Sequence, residues 1–184
     1  MSLQLGHRVS ADIDLFTDAL YETIDFGPIY TKLLTTYPYI IGKKPDNKGF
    51  GESYIIGESA QDGIKVDLYY TDPFMFPPII MNNIQMADLR DIVVMKLEVI
   101  SNGGRKKDFW DLSELLEIIP FESMLKLYQQ KYPYFETSTI IKQMSNFQLA
   151  DEMEDPVCLR GKYWKLIKLD LEEMISKFNK NTDI

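Results

Sequence analysis

"GHRVSADIDLF", residues 6–16, sets two carboxylates, Asp12 and Asp14, into an otherwise apolar run. From Arg8 to Phe16 the residues alternate as a strand does. Val9, Ala11, Ile13 and Leu15 face one way, and Ser10, Asp12 and Asp14 the other. Two acids spaced this way lie about 6.6 Å apart along the backbone, so their side chains can converge on the same one or two divalent cations. A sheet with one face in water produces the same alternation, so D-x-D alone does not decide the chemistry. Its neighbours carry more. Arg8 and Ser10 precede the pair and point the same way, and a guanidinium with a hydroxyl suits the oxygens of a triphosphate.

Asp67 interrupts "IKVDLYY" (64–70), a segment otherwise fit for a core strand. Three carboxylates on neighbouring strands make a hard-oxygen set suited to magnesium or manganese. "GFGESYIIGES" (49–59) and "IKVDLYYT" (64–71) flank "AQDG" (60–63) and form an expected hairpin. Between the first strand and this hairpin, "TDALYETIDFGPIYTKLLTTY" (17–37) has helical spacing with Thr17 or Asp18 as N-cap. Gly27-Pro28 breaks it, which predicts two pieces of helix.

The prolines and asparagines of "DPFMFPPIIMNN" (72–83) mark a boundary near Asn82, beyond which helical periodicity replaces strands. We expect two lobes, 1–82 and 83–184. Asp88 is a good N-cap and Gly103-Gly104 a good stop for a helix whose apolar stripe is Leu89, Ile92, Val93, Leu97 and Ile100. Lys96 sits in that stripe. Either its stem carries the ammonium to water, or the charge meets carboxylates or a bound anion, because an unpaired buried ammonium costs several kcal/mol. The next helix, "KKDFWDLSELLEII" (106–119), offers Asp108 and Asp111, i, i+3 neighbours near its N-terminus; Asp108 also fits a cap there. Further helices are expected over 122–131, 137–147 and 162–179.

Composition excludes several classes. With 45% hydrophobic and 26% charged residues the chain should fold, and 184 residues suffice for one sizeable core. The single cysteine, Cys158, cannot form an internal disulfide, and no Cys/His cluster suggests structural zinc. The N-terminus lacks a signal-peptide pattern and no apolar run reaches about 18 residues, so the expectation is a cytoplasmic protein with no membrane span. A net charge of −8 disfavours sequence-blind binding along nucleic acid. "LRGKYWKLIK" (159–168) has the composition of an RNA-contacting surface and equally that of a solvated helix face with aromatics packed inward. His7 suits turn packing or a contact near phosphate better than general-base catalysis.

"LQLGHRVSADIDLFT", "IKVDLYY", "LRDIVVMKLEVISNGGRKKDFWDLSELL" and "MSNFQLADEMEDPVCLRGKYWKLIKLDL" together resemble the AbiEii-type nucleotidyltransferases, toxins of abortive-infection toxin–antitoxin pairs within the DNA polymerase beta superfamily. The most specific pieces are R-x-S-x-D-I-D-L-F and the helix pair D-I-x-x-x-K followed by K-D-F-x-D-L. The resemblance implies an α+β fold: a small mixed nucleotidyltransferase-type sheet flanked by helices, then a helical C-terminal lobe. It implies transfer of a nucleoside monophosphate from an NTP to an acceptor with release of pyrophosphate. GTP is the suspected donor in some relatives, and others modify the acceptor end of tRNA. A cognate antitoxin protein and Mg²⁺ or Mn²⁺ are implied as partners. Asp12 and Asp14 match the metal-binding pair, and Asp67 the third carboxylate, which helps deprotonate the acceptor hydroxyl. Lys65 precedes it, and Lys65, Arg8 and Ser10 stand where nucleotide phosphates are bound. Lys96 matches a lysine facing those phosphates, followed by Asp108 and Asp111 as catalytic-region acids. Relatives carry a Gly-Gly-Thr-Ala-Leu-like segment directly before "LQLGHR", whereas this chain opens "MSLQLGHR". The expectation is therefore an N-terminally shortened member, whose alternative role is that of an inactive binding module.

Overall fold

The computed structural model describes residues 1–46 and 48–181. It divides into two compact units, one of residues 10–74 and one of residues 1–9 with 75–184. The composition change had pointed instead to a division near residue 82.

In unit 10–74, strands β1 (Asp12–Thr17), β2 (Tyr39–Ile41), β3 (Gly51–Gly57) and β4 (Ile64–Tyr70) form one mixed sheet in the order β1-β4-β3-β2. The expected hairpin is β3–β4, antiparallel, with Tyr54 opposite Val66. β1 joins β4 in parallel, which requires a crossover, and helix α2 (Gly27–Thr36) lies within it. Tyr30 and Leu33 of α2 pack on a core of Phe26 with Tyr54, Ile56, Val66 and Leu68, one face of the two inner strands β3 and β4. β1 lies at the sheet edge, and its apolar positions Ile13 and Leu15 stay about half exposed, at 47% and 51%.

The strand expected from Arg8 begins only at Asp12. Arg8 instead makes an isolated antiparallel bridge with Cys158. Only one of the two helix pieces expected over 17–37 forms. α2 opens with Pro28 in its first turn, where the missing N–H has no intrahelical partner to lose. Before it, backbone amides are taken by other acceptors: Ala19 N–H donates to Thr17 Oγ1 and Ile24 N–H to Tyr70 Oη, while Glu22 adopts a left-handed φ of 62°.

Gly51 begins β3 at φ 151°, and a Cβ there would overlap the Leu68 carbonyl oxygen of β4. Gly51→Ala is expected to cost at least about 2 kcal/mol of stability, measurable as a lower denaturant midpoint at unchanged slope.

The second unit is helical except for a small hairpin, β5 (Ile79–Met81) and β6 (Ile84–Met86). The sequence pattern had shown only a boundary there. Asn82 and Asn83, both at positive φ (50° and 60°), form the two-residue turn between these strands. Helices α3 (Leu89–Ser101), α4 (Lys106–Leu115), α5 (Phe121–Lys131), α6 (Thr137–Gln143), α7 (Gln148–Asp151) and α8 (Trp164–Asn181) follow. The helix expected over 137–147 ends at Gln143, and α7 begins only at Gln148, beyond that range. α3 has its expected cap, the Asp88 carboxylate accepting from Arg90 N–H, and stops before Gly103 at φ 94°. In its stripe Val93, Leu97 and Ile100 are fully buried and Ile92 is buried, among Phe109, Trp110, Met124 and Ile167, while Leu89 is only partly buried. Trp110 stacks on Trp164, interplanar angle 12°.

Residues 1–9, with the short helix α1 (Ser2–Leu5), are tied into this unit by main-chain hydrogen bonds. Val9 N–H donates to the Val157 carbonyl and Leu159 N–H to that of His7.

Candidate functional site

The candidate residues fall in two groups, one in each unit. On the sheet face opposite α2, parallel register sets Asp14 directly beside Asp67 and Asp12 beside Lys65, while Ser53 of β3 flanks Asp67 from the other side. Asp67 is buried, at 4% exposure, because β4 is an inner strand. Lys65 Nζ donates to Asp67 Oδ2 at 2.5 Å, and the Ser53 hydroxyl donates to Asp67 Oδ1. Burial would push the Asp67 carboxyl up, but the bonds from Lys65 and Ser53 outweigh it and hold the group below its ordinary range. The Lys65 ammonium is raised chiefly by its bond to Asp67, and Asp14 adds attraction. Ser10 Oγ donates to Asp12 Oδ1 at 3.1 Å, at the exposed start of β1.

Among the described residues no group of three or more His, Cys, Asp or Glu side chains is gathered to hold a metal ion. The donors still fit a hard divalent cation in kind: they are all carboxylates, they share one face, and Asp14 and Asp67 are in register. A positive charge already stands on Asp67, that of Lys65.

The second group lies in the helical unit. Lys96, on α3, meets carboxylates: its Nζ is 2.8 Å from Asp108 Oδ1 and 2.6 Å from Asp111 Oδ2, both acids fully buried. Arg8 forks onto Asp111 through Nε (2.6 Å) and Nη2 (3.0 Å), and His7 Nε2 lies 2.8 Å from Asp111 Oδ1. Asp108 also accepts from the Arg105 backbone N–H at 3.1 Å and so satisfies an amide at the start of α4. Burial opposes ionisation of Asp111, yet hydrogen bonds from His7 and Arg8 and the charges of Lys96 and Arg8 prevail and hold its carboxyl far below the usual range. Asp108 is lowered in the same way: Lys96 overcomes its burial. Burial works against the Lys96 ammonium too, but Asp111 and Asp108 raise it above its ordinary value.

Thus Ser10, Asp12, Asp14, Lys65 and Asp67 collect on the sheet, and Arg8, Lys96, Asp108 and Asp111 collect around α3 and α4. Three partners escaped the sequence reading. Ser53 occupies a polar position of "GESYIIG" and could have been paired with Asp67 had the hairpin register been known. Asp91, the acid of D-I-x-x-x-K, is fully buried and accepts from the Met75 and Phe76 N–H groups, anchoring that loop to α3. His7, fully buried, is an Asp111 partner. In the basic stretch 159–168, Arg160 pairs with Glu114, Lys162 with Glu114 and Glu117, and Lys168 with Asp151, while Trp164 is buried.

Among the described residues no helix is long and apolar enough to cross a membrane. No solved structure matches the chain. An uncharacterized protein of Aquifex aeolicus (strain VF5) is 29% identical over 187 residues, which cover 97% of this chain and 84% of that protein. The model of the nucleotidyl transferase AbiEii toxin family, of type IV toxin–antitoxin systems, matches residues 1–181, and the chain belongs to that nucleotidyltransferase family.

Proposed function

We propose that the chain transfers a nucleoside monophosphate from an NTP, GTP among the candidate donors, to an RNA acceptor such as tRNA. It acts in the cytoplasm as a toxin opposed by a cognate antitoxin. The observation that carries the chemistry is the in-register pair Asp14 and Asp67 on one face of parallel strands β1 and β4, with Asp12 two residues along. The acceptor hydroxyl oxygen bonds to the α-phosphorus, the bond from that phosphorus to the α,β-bridging oxygen breaks, and pyrophosphate carries away that electron pair. Asp12, Asp14 and Asp67 would hold Mg²⁺ or Mn²⁺, which when bound lowers the acceptor hydroxyl's pKa and offsets charge on the leaving group. Asp67 takes the hydroxyl proton in this reading. Ser10 and Lys65 serve phosphate oxygens on the sheet. Arg8 and Lys96 supply positive charge in the helical unit, and Asp111 and Asp108 orient those cations.

The test is incubation of the chain with each α-³²P-labelled NTP, Mg²⁺ and total tRNA. The expected outcome is label on RNA for one or two of the four nucleotides; EDTA stops the reaction, and added Mg²⁺ or Mn²⁺ restores it. No transfer with any NTP or cation would leave the chain a binding module. Expression that slows growth, with recovery on co-expression of the antitoxin gene, tests the cellular role separately.

A further inference from the structure

In the chemistry above Lys65 serves phosphate oxygens, yet in the structure its ammonium is engaged elsewhere, 2.5 Å from Asp67 Oδ2. Its stem rises from the position opposite Asp12, one row from the Asp14–Asp67 pair, and its side chain is about half exposed (49%). Asp67 is almost fully buried, and its other oxygen is engaged by Ser53. Resting on the metal reading of this face, we propose that the Lys65 ammonium is a built-in stand-in for the divalent cation. It occupies the Asp67 oxygen that the metal must take, and gives it up when the metal binds.

A divalent ion on the same oxygen would stand a few ångströms from the ammonium, and repulsion between the two favours release of Lys65 once the metal is bound. The ligand-free site thus keeps its buried carboxylate paired, which avoids the large cost of an uncompensated buried charge. The same pairing weakens metal binding, because the cation must first break a charge-assisted hydrogen bond. It also accounts for why the carboxylates share a face without being gathered into a three-acid cage. Asp67 closes on an internal cation instead. The displaced ammonium, on a flexible half-exposed stem, is then free to meet phosphate oxygens. Exchange of one cation for another would couple metal binding to nucleotide binding.

The experiment measures Mn²⁺ alone, without nucleotide, by titration calorimetry and by electron paramagnetic resonance of free Mn²⁺, on the full chain and on Lys65→Met, Lys65→Gln and Asp14→Asn. Lys65 is half exposed and Asp14 exposed, so these variants should fold, which circular dichroism checks. Lys65→Met and Lys65→Gln are each expected to bind Mn²⁺ at least about tenfold more tightly than the parent chain, and Asp14→Asn at least about tenfold more weakly. If both lysine variants bind Mn²⁺ no more tightly while Asp14→Asn binds more weakly, the stand-in role is overturned and the metal reading stands. If Asp14→Asn leaves Mn²⁺ binding unchanged, the metal reading itself fails and the stand-in role falls with it.

Discussion

Replacing Asp111 with alanine is expected to lower the stability of the chain by about 3–5 kcal/mol, the usual effect of removing one partner from a buried ion-pair network. The carboxylate is fully buried and is the common acceptor for Lys96, Arg8 and His7. Its loss leaves two cations facing each other in a site that desolvates them, with only Asp108 near Lys96. Urea unfolding followed by far-ultraviolet circular dichroism measures the change. Asp111→Asn keeps an acceptor oxygen of the same shape and should destabilise less. An Asp111→Ala chain as stable as the parent would show that the network contributes nothing net.

The same network sets a pH dependence. The folded carboxyls of Asp111 and Asp108 lie below the ordinary aspartate value of 3.8, so near that value the unfolded chain binds more protons than the folded one. Their contribution is complete above about pH 5 and is lost as the pH falls through 3.8 toward the folded values. Lys96 behaves oppositely. Its raised ammonium contributes fully below its ordinary value of 10.5 and loses that contribution as the pH rises through the folded value. Stability plotted against pH should fall at the acid end, and Asp111→Asn should flatten that fall.

The second large effect concerns transfer. Asp67→Ala is expected to reduce nucleotide transfer at least about 10³-fold, because it removes a carboxylate that the proposed chemistry uses both for the metal and for the acceptor proton. Asp14→Ala should approach the same loss from the exposed edge strand with little change in stability. That separation matters. Asp67→Ala also strips Lys65 and Ser53 of their acceptor, so a fall in stability accompanies it. Labelled transfer measured beside unfolding distinguishes lost chemistry from lost fold. Wild-type transfer by both variants would remove the sheet carboxylates from the mechanism.

Much of this arrangement was legible in local pattern. The alternation of "SADIDLF" placed Asp12 and Asp14 on one face, and the β1–β4 register bears that face out. "AQDG" marked the hairpin turn, and Asp88 the start of α3. Lys96 stood out because a charge interrupts an apolar stripe, and its partners proved to be the two acids at i, i+3 on the following helix. Other features had no local sign. Residues 17–26 have helical spacing, but their amides are captured by Thr17, Leu20 and Tyr70, the last 46 residues beyond Ile24. The β5–β6 hairpin is three residues to a strand, too short for periodicity to register, and rests on two asparagines at positive φ.

The sequence by itself settled which side chains share an element's face and which charges stand out of place, because strand and helix periods are properties of a few consecutive residues. Tertiary structure alone decided that Arg8 and His7 turn to Asp111, more than 100 positions away, that Ser53 flanks Asp67, and that residues 1–9 join the helical unit. Those outcomes follow from burial. A buried carboxylate must find cations or donors wherever the fold brings them, and their distance along the chain does not enter that requirement.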